Sequence, residues 1–316
     1  MRRAGARIER PVRLRGMDAD ALRRRARTLA ATIEPVVGQV FFSPECHQAY
    51  EKLGFDPSPG TFGNGVAAPD GPAYFTSRGS LLGQVVPRVV AAAFGVFKPE
   101  IVATGVELGW TRTDAPTIFA ARREGATAQL ERVCGPADAS VSRASDALAR
   151  AADAITEAGR PLFSGLRSQW DDPRDPWTRL FHLGDMLREA RGDAHVCAWR
   201  AADTDAVEIG LLTEAYMGLP LRTYIRTRGW NDAELDAAVE RLLGRGWLDG
   251  AAALTTAGRS GREDIERATD AAMRGAVDAM GDDLDDVIAA LTPRGDAMRA
   301  AGGYIAGPVD LWPNRA

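Results

Sequence analysis

The sequence predicts a mainly α-helical protein: a winged helix-turn-helix with a helical N-terminal half, the two halves being readable as related winged-helix units. Three observations carry this. The chain is rich in Ala, Leu, Arg, Asp and Glu, while alternating strand-like runs are nearly absent. Cap-plus-proline pairs such as Ser43–Pro44 and Asp175–Pro176 recur in front of apolar residues at helical spacing. The last third runs in the order helix, turn, helix, glycine-aromatic stop, short hairpin, closing helix. A length of 316 residues suggests roughly two domains. Residues 1–16 are expected to be a flexible basic arm, 17–170 a helical domain, and 171–316 the winged-helix domain with its C-terminal helices.

Taken in order, the arm carries six arginines between Arg2 and Arg15. Asp18 caps a helix whose buried side holds Leu22, Leu29 and Ile33, and Pro35 bends or ends it. A short helix over CHQAYEKL stops at Gly54. Four glycines and three prolines between Phe55 and Pro72 define a loop, disordered or functional, for instance a lid. Tyr74, Phe75 and Arg78 lie on a helix ending at glycine, Pro87 opens a helix leading to Phe94 and Phe97, and Pro99 opens another to Gly109 and Trp110. An arginine among such rings can clamp an anion while the rings hold an apolar body, or it can pack as an ordinary snorkelling side chain. Two alanine-rich helices, from Asp114 to Cys134 and from Pro136 to about Gly159, have the character of scaffold. Beyond the winged helix an amphipathic helix is limited by Pro293, and the tail from Gly302 is expected to be a surface strap.

The run from Pro176 to Trp199 is the strongest candidate site. Trp177, Leu180, Phe181, Gly184 and Leu187 form one apolar stripe, and Thr178, His182, Asp185 and Glu189 form a polar one able to line a cleft. Gly192 is expected to break the helix, with Arg188, Arg191, Asp193 and His195 crowding the joint. The ligand-binding set read from the sequence is therefore Tyr74, Arg78, Phe94, Phe97, His182, Arg188, Arg191, Asp193 and His195. The alternative is a structural ion network fixing a helix corner.

In the last third, Asp205 and Glu208 have capping-box spacing, and Asn231 caps NDAELDAAVERLLGRGWL. Asp232, Glu234, Asp236 and Glu240 outnumber Arg241 and Arg245 on that helix, and acids facing phosphates repel them. Arg222, Arg226 and Arg228 remain as weak candidates for gripping a DNA backbone. A net charge of −4 agrees with a surface not built for nucleic acid. Cys46, Cys134 and Cys197, odd in number and far apart, indicate neither disulfides nor zinc. No metal, cofactor or membrane segment is predicted, and the location read from these features is cytoplasmic.

RLLGRGWL followed by LTTAG resembles the corresponding stretch of MarR-type regulators. More broadly, IEPVVGQVFFSPE, YFTSRGSLLG, AAFGVFKPEIV, LREARGDAHVCAW and TRGWNDAELDAAVERLLGRGWL, in order after Met17, resemble the SalK-like helix-turn-helix family of actinobacteria. That resemblance implies a winged-helix architecture and a small-molecule ligand, sometimes in specialised metabolism, and it marks Glu34, Arg78 and the Arg191, Asp193, His195 cluster. Val37, the stretch Ser80 to Gly83, and Gly95 with Val96 depart from the family pattern and make the pocket more apolar. The preferred reading is a ligand-binding protein of regulator type with weak or no specific DNA binding, Arg78 and Arg191 anchoring an anionic or carbonyl group. A homodimer is left open. The runner-up is a cofactor-independent enzyme in which His195, oriented by Asp193, acts as acid or base beside Arg191. A third reading is protein interaction through the acidic helix.

Overall fold

A computed structural model describes residues 18–62 and 65–306; the basic arm and the tail with Pro308, Trp312 and Pro313 lie outside the described residues. The chain is mainly α-helical, as its composition predicts. Among the described residues the only β pairings are two isolated bridges, Thr61 with Ala67 and Leu248 with Leu254. The second stands where the wing hairpin is expected.

The N-terminal helices are α1 (Ala19–Val37), α2 (Pro44–Glu51), α3 (Gly71–Gly79), α4 (Pro87–Phe94) and α5 (Pro99–Arg112). Four of these five carry proline in the first turn, where its missing N–H costs nothing. Then come α6 (Ala115–Cys134), α7 (Ala139–Asp153), α8 (Pro161–Ser168) and the 26-residue α9 (Pro176–Ala201). The C-terminal group is α10 (Ala206–Met217), α11 (Asp232–Gly244), α12 (Thr256–Ala271), α13 (Arg274–Met280) and α14 (Asp283–Ala300). Both expected capping boxes are present, Asp205 with Glu208 on α10 and Asn231 with Glu234 on α11.

Three sequence expectations need correction. Gly192 does not break α9, which runs unbroken to Ala201. A single helical glycine costs about 1 kcal/mol, less than the packing of a helix buried on several sides. Pro293 does not limit α14 either; the helix passes through it to Ala300. The sequence places Leu254, Thr255 and Gly258 in the hairpin, but Thr255 is the N-cap of the closing helix and its side chain accepts the Gly258 N–H, so Gly258 belongs to the helix. The SRG at Ser77–Gly79 and the ARG at Ala190–Gly192 correspond weakly in sequence, but their glycines sit differently: Gly79 ends a short helix against Val90, whereas Gly192 lies inside a long one.

The main apolar core takes residues from both sides of position 170. It joins Leu22, Leu29 and Ile33 of α1 to Leu180, Phe181 and Leu187 of α9 and to Leu284, Val287 and Leu291 of α14. The helix-turn-helix has its own core, in which Leu211 and Leu212 of α10 meet Ile225, Leu235, Ala238 and Leu242. A small third cluster of Trp199, Ile209 and Ile265 bridges the two. Helix α9 thus runs from one core to the other.

Inside the main core, α6 and α9 are tied by Arg122 and Asp185, 2.7 Å apart and both essentially sealed from solvent. Two nitrogens of Arg122 and one oxygen of Asp185 have no hydrogen-bond partner among the described residues. Breaking such a pair costs far more than removing it whole. Arg122→Met is therefore expected to lower unfolding free energy by about 3–5 kcal/mol, and Arg122→Met with Asp185→Leu to recover most of that loss. Urea denaturation of the two variants checks it; equal destabilisation would contradict it.

Candidate functional site

Between the main core and the helix-turn-helix core lies a chamber of about 740 Å³, inside the roughly 300–1,000 Å³ span of small-molecule sites. Helix α9 supplies one wall through Arg188, Arg191, Gly192, His195 and Val196, spaced as one helical face. Helix α1 adds Leu29, Ile33 and Glu34, α3 adds Tyr74, Phe75 and Arg78, and α4 with its following loop adds Phe94, Val96 and Phe97. The far side is the helix-turn-helix itself: Ile209 and Thr213 of α10 and the turn from Thr223 to Arg228. Phe62 and Pro69, from the glycine- and proline-rich loop, also reach the wall.

The rings support one another. Phe75 meets Phe97 edge-on with centroids 5.2 Å apart, and Tyr74 lies 5.0 Å from Phe41 and 5.7 Å from Phe97. Gly192 matters here for what it lacks, since a Cβ there would meet nothing nearer than the Glu189 carboxylate at 3.7 Å. The glycine leaves open space on the α9 wall.

The charges facing this chamber are largely paired. Glu189, buried and charged, accepts a fork from Arg78 (3.0 and 2.7 Å) and a further bond from Arg188 (2.8 Å). Arg188 also donates to Glu34 (3.0 Å), and Glu34 receives the Tyr304 hydroxyl (3.2 Å). Burial alone would raise the Glu189 pKa, but the two guanidiniums outweigh it and hold the carboxyl well below its usual range. For Arg78 and Arg188 burial works downward and Glu189, joined at Arg188 by Glu34, works upward, with the carboxylates prevailing. Arg191 donates to Glu266 and Asp270 of α12, 2.9 Å each, and Asp270 also takes Arg27 of α1 at 2.7 Å.

Seven of the nine residues in the predicted ligand-binding set, Tyr74, Arg78, Phe94, Phe97, Arg188, Arg191 and His195, are thus brought round one chamber. His182 and Asp193 are not. His182 is 1% exposed, with Nε2 3.0 Å from the Leu166 carbonyl and its ring against Trp170 and Phe119. Burial lowers its pKa, only partly offset by that carbonyl. Asp185 of the same polar stripe faces α6, leaving Glu189 as the stripe's one member at the chamber. Asp193 turns to α8, where its carboxylate accepts the Phe163 N–H (3.0 Å) and so caps a helix whose own N-cap residue, Arg160, supplies no side-chain capping bond.

That placement corrects the proposed acid–base pair. Residues two apart on a helix point some 200° from each other, and His195 Nδ1 lies 3.0 Å from Thr269 Oγ1 of α12. Asp193 therefore does not orient His195. Arg78 fits poorly as an anion anchor, because Nε and Nη2 both donate to Glu189, and Arg191 already commits Nη2 to two carboxylates.

The three candidate DNA contacts behave differently from one another. Arg222 pairs with Asp236 (2.6 Å) and Arg226 with Asp232, both acids on α11. Arg228 faces the chamber, its guanidinium 4.6 Å from the Phe97 ring and 4.4 Å from the Tyr224 ring. On the outward side of α11, Asp232, Asp236 and Glu240 are exposed, and Arg241 is tied back to Asp205 and Glu208. The sequence reading missed Glu34 as an ion partner of α9, Tyr304 beyond the last helix, and Tyr224. Tyr224 and Arg228, four residues apart in RTYIRTR, were the available signal for the last.

No group of three or more metal-ligating side chains is found among the described residues, and no described helix is long and apolar enough to cross a membrane. A model described as a helix-turn-helix family matches residues 26–305. No match was found among curated proteins or solved structures.

Burial pushes the Asp193 carboxyl up to about 7, the Phe163 N–H only partly opposing it. A carboxyl whose folded pKa exceeds its unfolded value adds stability that is complete below about pH 4 and is lost as pH rises through about 7. Asp193→Asn keeps an acceptor for Phe163 without the proton. Wild type is expected to lose a few kcal/mol relative to this variant between pH 4 and 8, at about 1.4 kcal/mol per tenfold change in proton affinity. Urea unfolding across that range checks it; parallel profiles would contradict it.

Proposed function

The chain belongs to this helix-turn-helix family, and we propose that it is a small-molecule-binding protein of regulator type whose helix-turn-helix has weak or no specific affinity for DNA. The observation that carries the proposal is the chamber itself: ring-lined, with its α9 charges paired, and walled on one side by the helix-turn-helix. An apolar chamber of this volume with a few converging polar groups is the usual form of a ligand site. Placement with the SalK-like members, and with it a ligand from specialised metabolism, rests on the sequence motifs; of the residues that resemblance marks, Glu34, Arg78, Arg191 and His195 line the chamber and Asp193 does not.

The DNA half of the proposal is electrostatic. Affinity for duplex DNA comes mainly from cations that displace counterions from phosphate. On the face that would lie in the groove, α11 presents Asp232, Asp236 and Glu240, and the arginines beside it are engaged by acids. The bridge at Leu248 and Leu254 leads into Asp249 and alanines, with no basic side chain between them.

Titration with N-phenyl-1-naphthylamine, a neutral fluorescent probe of apolar cavities, tests the ligand half. Wild type is expected to bind it, and Gly192→Phe, which fills the open space on α9, to weaken binding at least tenfold, or about 1.4 kcal/mol. Gel-shift assays with fragments of the gene's own promoter should show nothing tighter than the roughly micromolar limit of non-specific binding. No probe binding, or binding indifferent to Gly192→Phe, would overturn the ligand reading. Nanomolar, sequence-specific binding would overturn the DNA reading.

A further inference from the structure

Four arginines face the chamber, and only Arg228 lacks a carboxylate in ion-pair reach among the described residues. Arg78, Arg188 and Arg191 are each held by Glu189, Glu34, Glu266 or Asp270. Arg228 is held by rings. Its guanidinium is flanked by Phe97 and Tyr224, and Nη2 donates to the Tyr224 hydroxyl at 2.8 Å. Its Nε is shielded from solvent and has no hydrogen-bond partner among the described residues.

Stacking covers the faces of a guanidinium and leaves its edge, where the N–H groups form a fork matched to a planar anion. A buried N–H without a partner is costly, so a ligand oxygen placed on this edge gains more than the same oxygen in water. The geometry points to Arg228 as the anion anchor of the chamber, and to a ligand that is a planar, largely apolar carboxylate. Its carboxylate would meet the Arg228 edge and its body would lie against Phe94 and Phe97. This assignment rests on the chamber being a ligand site.

The position of Arg228 gives it a second consequence. It ends the 3₁₀ turn Ile225–Arg228 that leads into α11, and its carbonyl accepts the Lys98 N–H (2.9 Å). Two residues on, Trp230 Nε1–H donates to the Val96 carbonyl (3.0 Å), and Lys98 pairs with Glu234 in the α11 capping box (2.7 Å). A carboxylate on Arg228 is thus bound at the joint between the chamber and α11.

Displacement of N-phenyl-1-naphthylamine by a matched pair, 1-naphthoate and 1-naphthamide, tests the assignment on wild type. The acid is expected to displace the probe at about tenfold lower concentration than the amide. Arg228→Met, which keeps an apolar stem beside the rings, should abolish that preference, the acid and the amide then displacing the probe at equal concentrations; Arg228→Lys should retain part of it. An amide as effective as the acid on wild type overturns the assignment, as does a preference that survives Arg228→Met. A wild-type protein that binds no probe at all rejects the ligand site itself, and the anchor with it.

Discussion

The pairing of Glu189 on α9 with Arg78 and Arg188 is the interaction on which the rest of the structure depends. A buried carboxylate is stable only when its lone pairs are met and its charge is balanced. Here one carboxylate ties α9 to α3 directly, and through Arg188 and Glu34 to α1. Further along α9, Arg191 does the same for α12 through Glu266 and Asp270. The helices round the chamber are joined by directional contacts as well as by apolar packing. Directional contacts fix helix spacing, and with Gly192 on the α9 face they are compatible with a space that pure hydrophobic packing would tend to close.

The same pairing decides the character of that space. Arg78, Arg188 and Arg191 are engaged by carboxylates, so their stretch of wall is close to neutral. Charge enters the chamber from the opposite side, on the turn before α11. The helix-turn-helix follows a parallel rule on its outer side: Arg222 and Arg226 are engaged by Asp236 and Asp232 of α11, and Glu240 stays exposed beside them. The family is one of helix-turn-helix proteins, while the acids exposed on α11 would repel phosphate.

Much of this was legible in the chain. Capping boxes, cap-plus-proline starts and helical spacing located nearly every element, because caps and periodicity act within one turn or two. Tyr74, Arg78, Phe94 and Phe97 could be picked out as an arginine among rings, and Arg188, Arg191 and His195 as charges crowding Gly192, although the helix break expected there does not form. What was illegible depends on partners far away in sequence. Nothing near Asp193 says that it caps α8, and nothing near His182 says that it faces Leu166. Gly192 and Pro293 misled for a related reason: their local cost is real, but packing on α9 and α14 exceeds it.

The account stands or falls on whether the space between the two cores receives a guest. The most direct measurement is a crystal structure of the protein grown with 1-naphthoate. The naphthalene rings are expected against Phe94 and Phe97, with the carboxylate on the edge of Arg228. A chamber closed by inward movement of its own side chains, with naphthoate only on the outer surface, would contradict it.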